Sequence, residues 1–222
     1  ASLIVVNHHL LVTDLAYRRV SPSTGKTTSI LGYYNGLVVD EAHELAEVAR
    51  TILGWTVSSG RFARAAHRLE KVCQDYASAG RLRQWSSRIS QAAGQEAMKP
   101  GFKARLRGPV HSIDADAMEA DLAQAAHKAE ASGTRKGQTL AASIINLAGE
   151  TSHVLRNLKP HDFVYYPARD DDKKPWRFEA RRLDPASALK TLWEGRASVI
   201  TSATLNAGDE FQMVTREIGT NG

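Results

Sequence analysis

The sequence predicts an α/β fold: a parallel sheet with a large, mainly α-helical insertion and a β-hairpin. Three patterns predict it. Short apolar runs of strand type stand near both ends, at residues 3–7, 37–40 and 198–201. Between them, apolar residues recur at helical spacing over most of the middle. Beyond about residue 160 the period changes from helical spacing to alternation.

Taken in order, Leu3-Ile4-Val5-Val6-Asn7 reads as a strand, and residues 8–17 have apolar positions at helical spacing. Residues 21–34 are rich in Ser, Thr and Gly and read as a loop. Leu37-Val38-Val39 then forms a buried strand ending in Asp40, and a helix from about His43 has the stripe Leu45, Val48, Ala49 and Ile52. Phe62, Ala65, Ala66, Leu69, Cys73 and Tyr76 fall on one helix face, and Leu82, Trp85 and Ile89 on a second. Two further helices are expected over residues 114–131 and 138–158. Phe163 to Tyr166 is strand-like, and Trp176, Phe178 and Ala180 alternate with Arg177, Glu179 and Arg181, so a hairpin is expected near 163–182. Asp170, Asp171 and Asp172 lie in its turn, where a solvated loop is a better reading than a metal site. A short helix over 185–193 precedes the strand at 198–201.

Bulk properties bound the function. With 42% hydrophobic and 24% charged residues, the composition is that of an ordinary soluble domain. The apolar runs are too short to span a membrane, and residues 3–6 lack the basic flank and length of a signal peptide, so a cytoplasmic protein is expected. One cysteine, Cys73, excludes an internal disulfide or a cysteine-only metal site within these residues, and its apolar stripe marks it as a core thiol. The net charge of +5 is unevenly placed: residues 60–107 sum to +8 and the remainder to −3. Such asymmetry suits an anionic partner, a nucleic-acid backbone above all, although a solvated helix face accounts for it equally well.

Asp40-Glu41-Ala42-His43 is the segment richest in chemistry. Ligands of parallel sheets bind beyond the carboxyl ends of the strands, where these acids are expected. The first acid can hold Mg²⁺ through its water shell, and the second can orient or deprotonate a water attacking a γ-phosphate. The plainer reading is an acidic helix start that suits the helix dipole. Two look-alikes fail. Thr24-Gly25-Lys26-Thr27 lacks the earlier glycine of a phosphate-binding loop, since Val20 occupies that position. His43-Glu44 lacks the second histidine of a zinc-protease helix, since position 47 is Glu47.

Three segments together, Val5-Val6-Asn7-His8-His9-Leu10-Leu11, Val38-Val39-Asp40-Glu41-Ala42-His43 and Val199-Ile200-Thr201-Ser202-Ala203-Thr204-Leu205, resemble the iron–sulfur branch of superfamily 2 helicases, the XPD/DinG family, and bacterial DinG-like proteins most. The resemblance covers both ends of the chain; the helical middle matches in position and character. It implies a partial RecA-like motor domain over 1–55 and 180–222, and an arch-like helical insertion over 56–179. It further implies that Asp40 holds Mg²⁺ through water, that Glu41 acts on the hydrolytic water and that His43 links the nucleotide site to the partner motif. Ser202 and Thr204 would couple nucleotide state to movement on DNA. Arg61, Arg64, Arg68, Arg81, Arg83, Lys103 and Arg105 of the arch would contact phosphates of single-stranded DNA, with Phe102 or Trp85 available to stack on bases; Trp85 fits the Leu82/Ile89 core stripe better.

The family's 4Fe–4S cluster would be held by cysteines upstream of Ala1 and not by this chain. A phosphate-binding loop and a second motor domain are also expected elsewhere in a larger helicase, of 5′ to 3′ polarity by resemblance. ATP and Mg²⁺ would serve that parent, and these residues alone are expected to hydrolyse no ATP. An incomplete sheet invites weak self-association. Two rival functions are a non-catalytic helical interaction module and a component of a helicase-like nuclease.

Overall fold

The computed structural model describes residues 3–20, 29–98, 105–202 and 210–220. Its elements are α1 (His8–Val20), β1 (Gly36–Val39), a 3₁₀ turn (Ala42–Glu44), α2 (Leu45–Ile52), β2 (Trp55–Ser58), α3 (Ser59–Cys73), α4 (Tyr76–Ala97), α5 (Ala115–Ala131), α6 (Arg135–Arg156), β3 (Phe163–Ala168), β4 (Arg177–Arg182), α7 (Ala186–Trp193), β5 (Ala197–Ile200) and α8 (Glu210–Ile218). They group into two compact units, one of Ala1–Gly54 with Arg181–Gly222 and one of Trp55–Ala180.

In the first unit β1 and β5 pair in parallel, with Gly36 opposite Ala197 and Val39 opposite Ile200. One face of this two-stranded sheet meets a core of Leu11, Val12 and Leu15 from α1, Leu45 and Ala49 from α2, and Leu189 and Leu192 from α7. Val38 and Val199, which pair on the other face, are 71% and 55% exposed. The apolar run at 37–39 was expected to be buried as in an α/β sheet, yet only one face is covered among the described residues.

Residues 3–7 do not form the expected strand. No strand pairs with them among the described residues, and Leu3 and Val5 are 90% and 87% exposed. The Asn7 side chain instead accepts the Leu10 N–H at 2.9 Å, which starts α1 at the next residue.

Asp14 fixes the return from α1 towards β1. Its buried carboxylate accepts the Ser29 hydroxyl at 2.7 Å, the Ile30 N–H at 2.6 Å, the Leu31 N–H at 3.2 Å and Arg18 Nε at 2.7 Å. Buried polar groups persist only when bonded in this way.

The second unit packs α3 to α6 against a three-stranded antiparallel sheet of order β2-β4-β3. Its core includes Phe62, Leu69, Leu82, Ile89, Met118, Leu122, Leu140, Ile144 and Phe178. Trp55 stacks between His153 and Phe163, each ring 4.4 Å away. Trp55 lies opposite Ala180 in the β2–β4 ladder, so the unit begins and ends on paired residues.

The hairpin appears as β3 and β4, and the two later helices as α5 and α6. Tyr76 departs from the stripe assigned to it. Gln74 turns left-handed (φ 53°) and Asp75 caps the Ser78 N–H at 3.1 Å, so Tyr76 opens α4 and is 68% exposed. The sequence reading did not foresee β2 or α8. No helix among the described residues is long and apolar enough to cross a membrane.

Burial opposes the charge of Asp14, but hydrogen bonds from Ser29, Leu31, Arg18 and Ile30 outweigh it and hold the carboxyl below its ordinary value. A depressed folded pKa gives stability that is complete above the unfolded value, near 3.9, and is lost as pH falls through the folded one. Asp14→Ala should therefore destabilise the first unit by about 3 kcal/mol at neutral pH by stranding several buried donors. Thermal melts from pH 7 down to about 3 should show the wild-type advantage shrinking only at the acid end.

Candidate functional site

The site stands at the carboxyl ends of β1 and β5. Parallel pairing puts both ends on the same side, so Asp40 follows Val39 beside Thr201. Main-chain bonds continue the ladder past the strands: Thr201 N–H donates to Val39 at 2.8 Å and Ala42 N–H to Thr201 at 3.0 Å.

Glu41 then adopts φ 48° and ψ 46°. A left-handed glutamate costs roughly 1–2 kcal/mol and buys a reversal of direction within one residue. The 3₁₀ turn Ala42–Glu44 follows at once, so Asp40, Glu41 and His43 share one rim.

Asp40 Oδ1 accepts the Thr201 hydroxyl at 2.5 Å and the Glu41 N–H at 3.0 Å. The Thr201 hydroxyl, then the Glu41 amide, lower the Asp40 pKa, and the nearby His8 adds to this; the small effect of burial works the other way. His8 Nε2 lies 2.8 Å from the Asp40 carbonyl oxygen. A carbonyl accepts only, so Nε2 bears the proton in this contact.

His43 Nδ1 is 2.7 Å from Ser202 Oγ and 3.3 Å from Glu41 Oε2, and the Ser202 hydroxyl donates to Glu41 Oε2 at 3.3 Å. Ser202 and Glu41 thus meet the same ring nitrogen. A serine-hydrolase triad requires the serine on one imidazole nitrogen and the acid on the other, so this arrangement is not one.

The strand tip brings together Asp40, Glu41, His43 and Ser202. The other expected coupling residue, Thr204, lies outside the described residues. Thr201 and His8, which touch Asp40 directly, had no role in the sequence reading. The position of Thr201 on the last strand, one residue before Ser202, was the available signal.

The donor set bears on Mg²⁺. Asp40 is exposed, and among the described residues its Oδ2 accepts no hydrogen bond. No cluster of three or more His, Cys, Asp or Glu side chains capable of holding a metal occurs among the described residues. One free carboxylate oxygen suits a hydrated Mg²⁺ whose other ligands are water and phosphate, and does not suit an all-protein metal cage. Cys73 is half-buried at the end of α3, where burial, and then Asp75, push its thiol pKa up.

The basic residues expected to meet DNA divide into two groups. Arg61 pairs with Glu150 and donates to the Thr56 carbonyl at 2.7 Å. Arg81 forms an ion pair with Asp121 at 2.8 Å and donates a hydrogen bond to Gln124 at 2.7 Å. Arg83 grips both oxygens of Glu70, at 2.5 and 2.6 Å. These three are committed within the unit. Arg64 and Arg105 are exposed and Arg68 half-buried; Lys103 and Phe102 lie outside the described residues. Trp85 is 4% exposed, with its indole N–H on Asp121 at 2.7 Å, so it belongs to the core and offers no face to a base.

Thr201→Val should raise the Asp40 pKa towards the ordinary carboxylate value, because it removes the largest stabiliser of the anion. Carbon-detected NMR titration of the side-chain carboxyls would read the shift; an unchanged Asp40 titration contradicts this geometry. A scan against protein-family models and a search of curated proteins returned no match for this chain.

Proposed function

We propose that this chain forms part of a DNA helicase of the iron–sulfur XPD/DinG type, ATP-driven and cytoplasmic, with β1 and β5 belonging to a RecA-like motor sheet and residues 55–180 to an arch-like guide for single-stranded DNA. The reading is supported above all by one contact: His43 and Ser202, from two motifs distant in sequence, meet at 2.7 Å on one strand tip. In this reading Asp40 faces a hydrated Mg²⁺ on the nucleotide, whose charge neutralises developing phosphate charge. Glu41 orients and deprotonates the attacking water. Ser202 exchanges partners between His43 and Glu41, which gives the rim two arrangements that nucleotide state can select.

The phosphate cradle is supplied by residues outside this sequence, as is the family's iron–sulfur cluster, for which a single cysteine is insufficient. One observation favours the rival reading of a non-catalytic interaction module. Arg61, Arg81 and Arg83 are already neutralised by partners within the helical unit, which lowers its pull on a polyanion.

The test is DNA-stimulated ATP turnover by the full-length protein encoded by the reading frame. Glu41→Gln is expected to lower kcat by about 100-fold or more with nucleotide binding retained. Equal turnover in the two proteins removes the motor assignment.

A further inference from the structure

The two peptide planes that flank Glu41 are each held at both ends. In the plane between Asp40 and Glu41, the carbonyl oxygen accepts His8 Nε2–H at 2.8 Å and the N–H donates to Asp40 Oδ1 at 3.0 Å. In the plane between Glu41 and Ala42, the N–H donates to the Thr201 carbonyl at 3.0 Å and the carbonyl accepts the Glu44 N–H at 3.0 Å. The dihedrals of a residue are the angles that relate its two flanking planes. Four hydrogen bonds therefore fix Glu41 at φ 48° and ψ 46°, roughly 1–2 kcal/mol above the right-handed conformation.

One of the four comes from a side chain remote in sequence. The Asp40 and Glu44 bonds are local, and the Thr201 bond continues the main-chain ladder. His8 stands 32 residues before Asp40, on the first turn of α1. Its support is firm. Asn7 sets the helix start, accepting the Leu10 N–H on its side chain at 2.9 Å and the Leu11 N–H on its carbonyl at 3.2 Å. Leu11, Val12 and Leu15 anchor the following turns in the core of the first unit. His8 is half-buried and its neighbour His9 exposed. Nε2 carries a proton both in the required neutral tautomer and in the imidazolium, so the donor persists whatever the charge of His8.

In the left-handed turn, Glu41 Oε2 stands 3.3 Å from both His43 Nδ1 and Ser202 Oγ. Rotation of the Asp40–Glu41 plane would let Glu41 relax to a right-handed or extended conformation. Its Cα–Cβ bond would then point elsewhere, and the carboxylate would leave that pair. We propose that His8 is a positioning residue for Glu41: by clamping the Asp40–Glu41 peptide it keeps the Glu41 carboxylate on the rim beside His43 and Ser202. The kinetic consequence rests on the reading of Glu41 as the group that orients the attacking water; the conformational consequence does not.

NMR of the 222-residue chain tests the conformation without nucleotide. A positive φ brings a residue's amide and α protons unusually close, so wild-type Glu41 should show a strong intraresidue NOE between them. His8→Ala should weaken that NOE to the level of ordinary helical or extended residues. His8→Gln, whose amide N–H reaches about as far as Nε2–H and bears no charge, should restore it. His9→Ala is the control and should match the wild type. In the full-length protein, His8→Ala should lower kcat for DNA-stimulated ATP turnover about tenfold or more, with KM for ATP within about twofold. His8→Gln should recover most of that loss. A role in packing alone would lower the melting temperature and leave both the NOE and the split between kcat and KM unmoved.

An unchanged Glu41 NOE in folded His8→Ala overturns the proposal, as does a wild type without the NOE, an equal loss in His9→Ala or no rescue by glutamine. Should His8→Ala fail to fold, His8→Asn provides the same comparison, because its amide is one bond shorter than that of glutamine and misses the carbonyl. Asparagine should then behave as a loss and glutamine as the wild type, and equal behaviour of the two overturns the clamp. A responsive NOE in a protein without ATP turnover upholds the clamp and removes the motor assignment alone.

Discussion

The antiparallel pairing of β2 with β4 is the constraint on which the rest of the chain depends. Asp40 and Thr201 are 161 residues apart, and joining them directly would close a very long loop. With Trp55 paired to Ala180, the helical unit begins and ends at adjacent points. The chain left to close between β1 and β5 is then roughly 30 residues. At about 0.6 kcal/mol per doubling of loop length, that reduces the closure cost by roughly 1.5 kcal/mol. It also lets each unit keep its own core, since the larger set of buried side chains belongs wholly to residues 55–180.

Once β1 and β5 pair, the chemistry of the rim follows from chain direction. Parallel strands present both carboxyl ends together, and the left-handed Glu41 turns the chain so that its own carboxylate, Asp40 and His43 meet Thr201 and Ser202. The hydroxyls differ in what they do. Thr201 stabilises the Asp40 anion, while Ser202 stands between an imidazole and a carboxylate that both compete for it. One contact fixes charge, and the other gives a single hydroxyl two partners.

The helical unit shows why net charge and available charge are separate quantities. The basic surplus of residues 60–107 is plain in the composition, but Arg83 is held by Glu70 from the neighbouring helix, Arg81 by Asp121 from α5, and Arg61 by Glu150 from α6. Two of those acids lie outside the basic segment. What remains for a partner is a shorter set of cations, among them the exposed Arg64 and Arg105.

Local regularities were legible in the sequence because their causes are local. The apolar stripes of α2 to α6, the alternation in β4 and the strand ending at Asp40 each follow from spacing that any reader of the chain can count. The sequence also singled out Asp40, Glu41, His43 and Ser202, which the structure brings together at one strand tip. Competition between local signals was harder to read: the Asn7 cap overrode a strand-like run, and the Asp75 cap split a continuous stripe at Tyr76. The tertiary structure alone decided the rest. The contact of Thr201 with Asp40, the place of His8, the burial of Trp85 against Asp121 and the pairing of Arg61 with Glu150 all join residues far apart in the chain, and no periodicity encodes which distant partner a side chain will meet.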